Sequence, residues 1–278
     1  MSAPELPIEI IPAEIKPKDK RLEKMLYRET LPKHPANVMI LGRCGSGKSC
    51  CLYSMLKTGY VDAKGKSIFD EIIVYLGTLD AAEAFEKLPC KNVAVLHEYD
   101  DNEFITYLDD LKTHQMERLE KGKPPLNIAI IFDDFVGQAL LKHNKGKSSA
   151  LERLALTSRH ECNASLFFCS QTYKNNGLAN PTVRNNITHW IIYNMGRSEL
   201  EKIAEDHCNH LVEEEFVRLA EGVFSKPHRF MMVNYKKPDA ERFTLGFTTP
   251  IGKKQSLQNR IQNEREEIAT NGGTAEHH

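Results

Sequence analysis

The sequence predicts an α/β fold whose mostly parallel central sheet is flanked by helices, and three observations carry that expectation. Short continuous apolar runs, Ile128 to Phe132, Ser165 to Phe168 and Trp190 to Tyr193, are bounded by polar turns, the pattern of strands buried on both faces. Helical patterns alternate with such runs along the chain, as a parallel sheet requires. The 278 residues are 41% hydrophobic and 27% charged, enough apolar material for one core without disulfides or a structural metal.

The elements follow in order. Residues 1–35 hold Pro4, Pro7, Pro12, Pro17, Pro32 and Pro35 among charged residues. An extended arm is expected there rather than a helix, serving either as a linker or as a segment that docks on a neighbouring subunit. One domain is expected over residues 36–250. Within it, Val38 to Leu41 reads as a strand, Gly47 to Leu56 as a helix, Ile72 to Leu76 as a strand, Ala81 to Leu88 as a helix and Val93 to Leu96 as a further strand. Phe104, Tyr107, Leu108 and Leu111 recur at helical spacing inside a helix expected from Asn102 to Glu120. Beyond Glu199 come helices, then a strand or hairpin from Arg229 to Tyr235 and from Phe243 to Phe247. Residues 251–278 are polar and low in aromatics, which predicts a solvated helix that frays.

The 37 Lys and Arg nearly cancel the 38 Asp and Glu, leaving a net charge of -1. Bulk positive charge therefore does not draw this chain onto nucleic acid, and any such contact has to be local. No apolar run approaches the roughly 20 residues of a membrane-spanning helix. The N-terminus, with Glu5 and prolines, lacks the basic-then-apolar plan of a signal peptide. The seven cysteines (Cys44, Cys50, Cys51, Cys90, Cys162, Cys169 and Cys208) are odd in number and scattered. A soluble intracellular protein with free thiols is the expectation.

The run Gly42, Arg43, Cys44, Gly45, Ser46, Gly47, Lys48, Ser49 fits G-x-x-x-x-G-K-[ST] at every specified position. The motif needs a buried strand before it and a helix after it, because loop amides and a helix N-terminus must converge on the phosphates, and both elements are predicted here. Gly45 and Gly47 permit the backbone angles that turn N–H groups inward, Lys48 sets a charge against the outer phosphates, and the Ser49 hydroxyl completes a Mg²⁺ site. The expected binding set runs from Gly42 through Cys50.

Asn127 to Asp134 reads as an interior strand that stops at two adjacent carboxylates. Neighbouring side chains on a strand point to opposite faces, so both acids serve one site only where the strand ends and the chain turns. Asp133 is expected to hold Mg²⁺ and Asp134 to act as general base on the attacking water; the plain alternative is a polar cap on a buried strand. Gln171, at the end of the next apolar run, is placed to meet the γ-phosphate and that water, unless it is an ordinary turn residue. Phosphoryl transfer also needs positive charge at the developing oxygens, and an arginine supplied in trans raises rates by about 10³–10⁵. Arg159 and Arg184 are the candidates, with Arg153 third; each has an ion-pairing or surface role as its alternative.

Together the phosphate loop, Asp133-Asp134, Ser158-Arg159-His160, Ser170-Gln171-Thr172-Tyr173 and Val183-Arg184-Asn185-Asn186 resemble the FtsK/HerA superfamily. The nearest likeness is to the poxvirus-type virion DNA-packaging ATPases of large DNA viruses and virophages, over residues 36–193. FtsK-type translocases usually carry Glu at the second acid and the packaging branch often Asp, so Asp134 favours the narrower group. The resemblance implies a RecA-like P-loop NTPase with Gln171 as sensor, binding ATP and Mg²⁺ between the subunits of a homo-oligomeric ring, a pentamer or hexamer, with an arginine reaching across. It also implies double-stranded DNA as cargo, a viral capsid or portal vertex as partner, and the host cytoplasm, viral factory or virion as location.

A ring multiplies any local basic loop, and duplex DNA presents one charge per roughly 1.7 Å of axis. Lys142, His143, Asn144, Lys145, Gly146 and Lys147 are the first candidates for such a loop; Lys253, Lys254, Arg260 and Arg265 are the second. His207, Cys208 and His210 lack a second ligand pair at finger-like spacing, so no zinc site is expected. Two rival functions stay open: a P-loop phosphotransferase, for which neither acceptor pocket nor arginine-rich lid is evident, and a nucleotide-binding capsid-vertex scaffold with little turnover.

Overall fold

The apolar runs are strands in the computed structural model, which describes residues 19–78, 81–134, 149–174, 181–207, 213–238 and 241–251. Six run parallel: β1 (Asn37–Leu41), β2 (Glu71–Leu76), β3 (Asn92–Leu96), β4 (Ile128–Asp133), β5 (Ala164–Ser170) and β6 (His189–Ile192). An antiparallel flank follows in β7 (Met231–Asn234), β8 (Phe243–Leu245) and β9 (Thr249–Pro250). The described strands form one sheet in the order β3-β2-β4-β5-β1-β6-β7-β8-β9. The expected hairpin is therefore present, and β9 extends it.

Helices cover both faces: α1 (Lys20–Glu23), α2 (Lys48–Ser54), α3 (Ala82–Glu86), α4 (Asp101–Glu120), α5 (Ala150–Thr157), α6 (Pro181–Asn185), α7 (Arg197–His207) and α8 (Glu213–Val223). The helix expected to reach Leu56 leaves the α form after Ser54 and ends as a π-helical turn over Met55–Gly59. Asp100 caps α4 by accepting from the amides of Asn102 and Glu103, at 2.8 and 3.0 Å. The period of two along β1 decides the layering. Val38 and Ile40 enter the core beneath α2 and α3, while Met39 and Leu41 enter the core beneath α4, α5, α7 and α8. Ile128 through Phe132 of β4 are each at most 1% exposed. At about 1.5–3 kcal/mol for each large apolar side chain, that burial anchors the strand whose end carries the two acids.

The segment expected as an extended arm differs over its described part, residues 19–35. The prolines bracket a proline-free stretch from Lys18 to Leu31, and within it α1 forms and Met25 and Leu31 are buried. Arg21 donates two hydrogen bonds to Asp70, both 2.8 Å, and the Tyr60 hydroxyl donates to the Pro32 carbonyl at 2.8 Å. Polar contacts to the base of the sheet thus hold the segment where an isolated arm has none. Residues 1–18 and 252–278 lie outside the described residues, while Ile251 is buried in the core. Among the described residues no helix is long and apolar enough to cross a membrane, and the six cysteines there are free thiols.

Candidate active site

β1 ends at Leu41 between β5 and β6, and the loop that follows is tied to both. The Gly42 amide donates to the Ser170 carbonyl at 3.1 Å and the Arg43 amide to the Asn194 carbonyl at 3.3 Å. A Cβ at Gly42 would stand 2.5 Å from Ser46 Oγ and 2.6 Å from Tyr193 Cβ, so only glycine fits this crossing. Gly45 and Gly47 have φ of 72° and 103°, left-handed values that turn the loop into the first turn of α2. Lys48 is 4% exposed, and its Nζ donates back across the loop to the carbonyls of Gly42 and Arg43, at 3.0 and 3.2 Å. Its charge therefore lies under the cradle.

The Ser49 hydroxyl donates to Asp133 Oδ1 at 3.0 Å, which joins the loop to the end of β4. Asp133 is 5% exposed. Burial holds its carboxyl above the usual carboxylate range; the Ser49 hydrogen bond pulls against this, and the neighbouring Asp134 charge adds to it. Asp134 has φ of 49°, a left-handed turn at the residue where the strand stops. That turn delivers the second acid to the same edge as the first. Register puts Asp133 beside Cys169 of β5, so Gln171 follows two residues later and its Nε2 donates to Asp134 Oδ2 at 3.3 Å. Lys48, Ser49, Asp133, Asp134 and Gln171 are thus brought to one edge of the sheet.

Arg159 and Arg184 are not. Arg159 precedes β5 and Arg184 sits in α6 before β6, at the amino ends of these strands, whereas the cradle lies at their carboxyl ends. Neither arginine lines the cleft over the phosphate loop. The two arginines line one cleft of about 510 Å³ with Tyr173, Asp206 and Lys236. Arg184 lies over the Tyr173 ring at 5.4 Å and within 3.7 Å of Asp206, whereas Arg159 Nε is buried without a hydrogen-bond partner among the described residues. Arg153 pairs with Asp109 at the surface. Both candidate DNA loops, and Cys208 and His210 with the side chain of His207, lie outside the described residues.

The cleft over the loop, about 680 Å³, is lined by Cys44, Gly45, Gly47, Lys48, Ser49, Cys50 and Asp134, and also by Cys51, Ser54, Tyr193, His228 and Phe230. The last five carry no motif. Tyr193 is read in the sequence only as the last residue of the apolar run Trp190 to Tyr193, and His228 and Phe230 arrive through the antiparallel pairing of β7 with β6. His228 has φ of 59° and its Nδ1 donates to the Ser46 carbonyl at 3.2 Å.

A family model described as Poxvirus A32 protein matches residues 23–221. A search of the curated proteins returned no match. Among solved structures, the chain is similar to the genome packaging NTPase B204 from Sulfolobus turreted icosahedral virus 2 in complex with AMPPCP. That likeness has 17% identity and a TM-score of 0.50, and covers 78% of this chain and 98% of that one. It is also similar to B204, the DNA-packaging ATPase from Sulfolobus Turreted Icosahedral Virus, at 16% identity and a TM-score of 0.51, over 79% of this chain and 100% of that one. At these identities the likeness establishes the fold, the α/β P-loop NTPase architecture expected.

Proposed function

We propose that this chain, which belongs to the poxvirus A32 protein family, is an ATP-hydrolysing motor that moves double-stranded DNA into a viral capsid. The observation that carries the reading is the 3.0 Å contact from Ser49 to Asp133, with Asp134 and Gln171 paired beside it at 3.3 Å, at the mouth of the phosphate loop. A bare phosphate-binding site needs neither an acid against its serine nor an amide against a second acid.

In this reading the loop amides from Gly42 to Cys50 and the Lys48 ammonium bind the triphosphate of ATP. Asp134 takes a proton from the attacking water, and Gln171 orients that water toward the γ-phosphate. Ser49 and Asp133 fit Mg²⁺. They offer hard oxygens, and burial of an anion with its carboxyl raised is relieved by a cation. Bound there, it supplies charge neutralisation at the phosphate oxygens.

The missing positive charge comes from a neighbour. Neither candidate arginine lines the cleft over its own phosphate loop. A homo-oligomeric ring, pentamer or hexamer, sets one subunit's arginine edge against the next one's loop, and Arg159 is the better donor because Arg184 already answers to Tyr173 and Asp206. DNA passes through the ring on the way to the capsid or portal vertex, in the host cytoplasm or viral factory.

ATP turnover measured with and without duplex DNA, beside sedimentation, tests the proposal. Turnover stimulated by DNA in a ring-sized species supports the motor. Phosphate moved to a small acceptor supports a phosphotransferase instead, and tight binding without hydrolysis supports a capsid-vertex scaffold.

A further inference from the structure

The two flanks of β1 differ in chemistry. On one side β4 and β5 carry Asp133, Asp134 and Gln171, the groups that act on the outer phosphate in the reading above. On the other side β6 and β7 bring Tyr193, His228 and Phe230 to the same cleft, with Cys51 and Ser54 of α2 as its floor. A triphosphate whose γ end meets the acids has its α end, and whatever is attached to it, on the β6–β7 side.

That side is aromatic and fixed. Phe230 is half-buried between Tyr193, at 5.2 Å between ring centroids and 48°, and Phe247, at 4.9 Å and 65°. His228 is held on the Ser46 carbonyl, and a Cβ at Gly47 would stand 3.4 Å from His228 Nδ1 and 3.8 Å from Tyr193 Cε1, so both rings come up to the loop backbone. Tyr193 is 3% exposed, so the aromatic surface this side presents to the cleft is that of His228 and Phe230, with the Tyr193 ring packed behind Phe230. A flat π-system of the ligand is what it matches.

We infer that His228 and Phe230, backed by the buried Tyr193 ring, form the nucleobase subsite of this chain and that it selects purines over pyrimidines by stacking area. The inference rests on the phosphate reading above. Two of its three residues, His228 and Phe230, lie beyond the 23–221 match, so this part of the cleft belongs to the chain's own C-terminal sheet extension.

Titration calorimetry with Mg²⁺ and two probes, AMPPCP and inorganic tripolyphosphate, tests it on the full chain. Phe230→Ala, with Phe230→Leu as the variant that keeps apolar packing against Tyr193 and Phe247, should weaken AMPPCP about tenfold and leave tripolyphosphate unchanged, the size expected for one lost stacking face. The unaltered protein should bind ATP more tightly than CTP, and the Leu variant should lose most of that difference. Equal loss for both probes, or no change for either, overturns the base subsite. Lys48→Ala should weaken both probes; if it weakens neither, the phosphate reading fails separately, whatever the Phe230 result.

Discussion

Replacing Asp134 by Asn separates chemistry from binding, and the structure sets both magnitudes. Asp134 is exposed, and its carboxylate accepts one hydrogen bond, from Gln171 at 3.3 Å, which an Asn Oδ1 also accepts. Its φ of 49° is a conformation that Asn adopts more readily than any other non-glycine residue, so stability should move by no more than about 0.5 kcal/mol. The amide has no basic oxygen to take a proton, and loss of a general base costs about 10²–10⁴-fold in rate, roughly 3–5 kcal/mol on the barrier. Binding should survive, because no loop contact involves Asp134. Removing its charge also lets the Asp133 carboxyl fall toward the ordinary range. Phosphate release at saturating Mg·ATP should therefore collapse while calorimetric affinity for AMPPCP stays within about twofold. Turnover at the unaltered rate would refute the assignment of the base, and a fall in affinity as large as the fall in rate would show that Asp134 binds rather than reacts.

Two further outcomes follow from geometry and burial. Mixing Asp134→Asn subunits with Arg159→Ala subunits should restore part of the turnover that each lacks alone, since a mixed interface joins an intact acid to an intact arginine; no rescue at any ratio, with assembly verified by sedimentation, excludes Arg159 in trans. Burial lowers the His189 imidazole to about 3, against 6.5 in the unfolded chain, so the unfolded state binds the extra proton between these values and stability is lost as pH falls below 6.5. Burial likewise lowers His34 to about 3 and adds a loss of the same size, so chemical denaturation at pH 6.5 and 5.5 should show a loss of which His189→Asn removes about 1 kcal/mol; an unchanged pH dependence in the variant refutes the buried neutral histidine.

The residues legible in the sequence share one property: their function is fixed by neighbours a few positions away. Gly42 to Ser49 bend and bind through their own backbone, and Asp133 and Asp134 are placed by the end of their strand, so composition and spacing suffice. Gln171 required one further step, that β5 lies beside β4, and the continuous apolar runs supplied it. The illegible part depends on long-range pairing. Nothing local marks Met231–Asn234 as the strand beside β6, yet that antiparallel pairing alone brings His228 and Phe230, more than 180 residues from Ser46, to the loop. The N-terminal segment misled for the converse reason. Its prolines are local and conspicuous, while the Arg21–Asp70 pair and the buried Met25 and Leu31 that hold residues 19–35 are tertiary.

Strand polarity accounts for the arginines in the same way. Arg43 stands within the phosphate loop itself, and as letters Arg159 and Arg184 stand 12 and 13 residues from Gln171. Folding carries them to the opposite edge because each lies before a strand and Gln171 lies after one. The acids, amide and lysine converge within one chain, and in the proposed motor a second subunit's arginine adds the charge that the chain's own Arg159 and Arg184, outside the cleft over the loop, do not. In that proposal assembly is a condition of turnover, and an isolated subunit should bind nucleotide far better than it hydrolyses it.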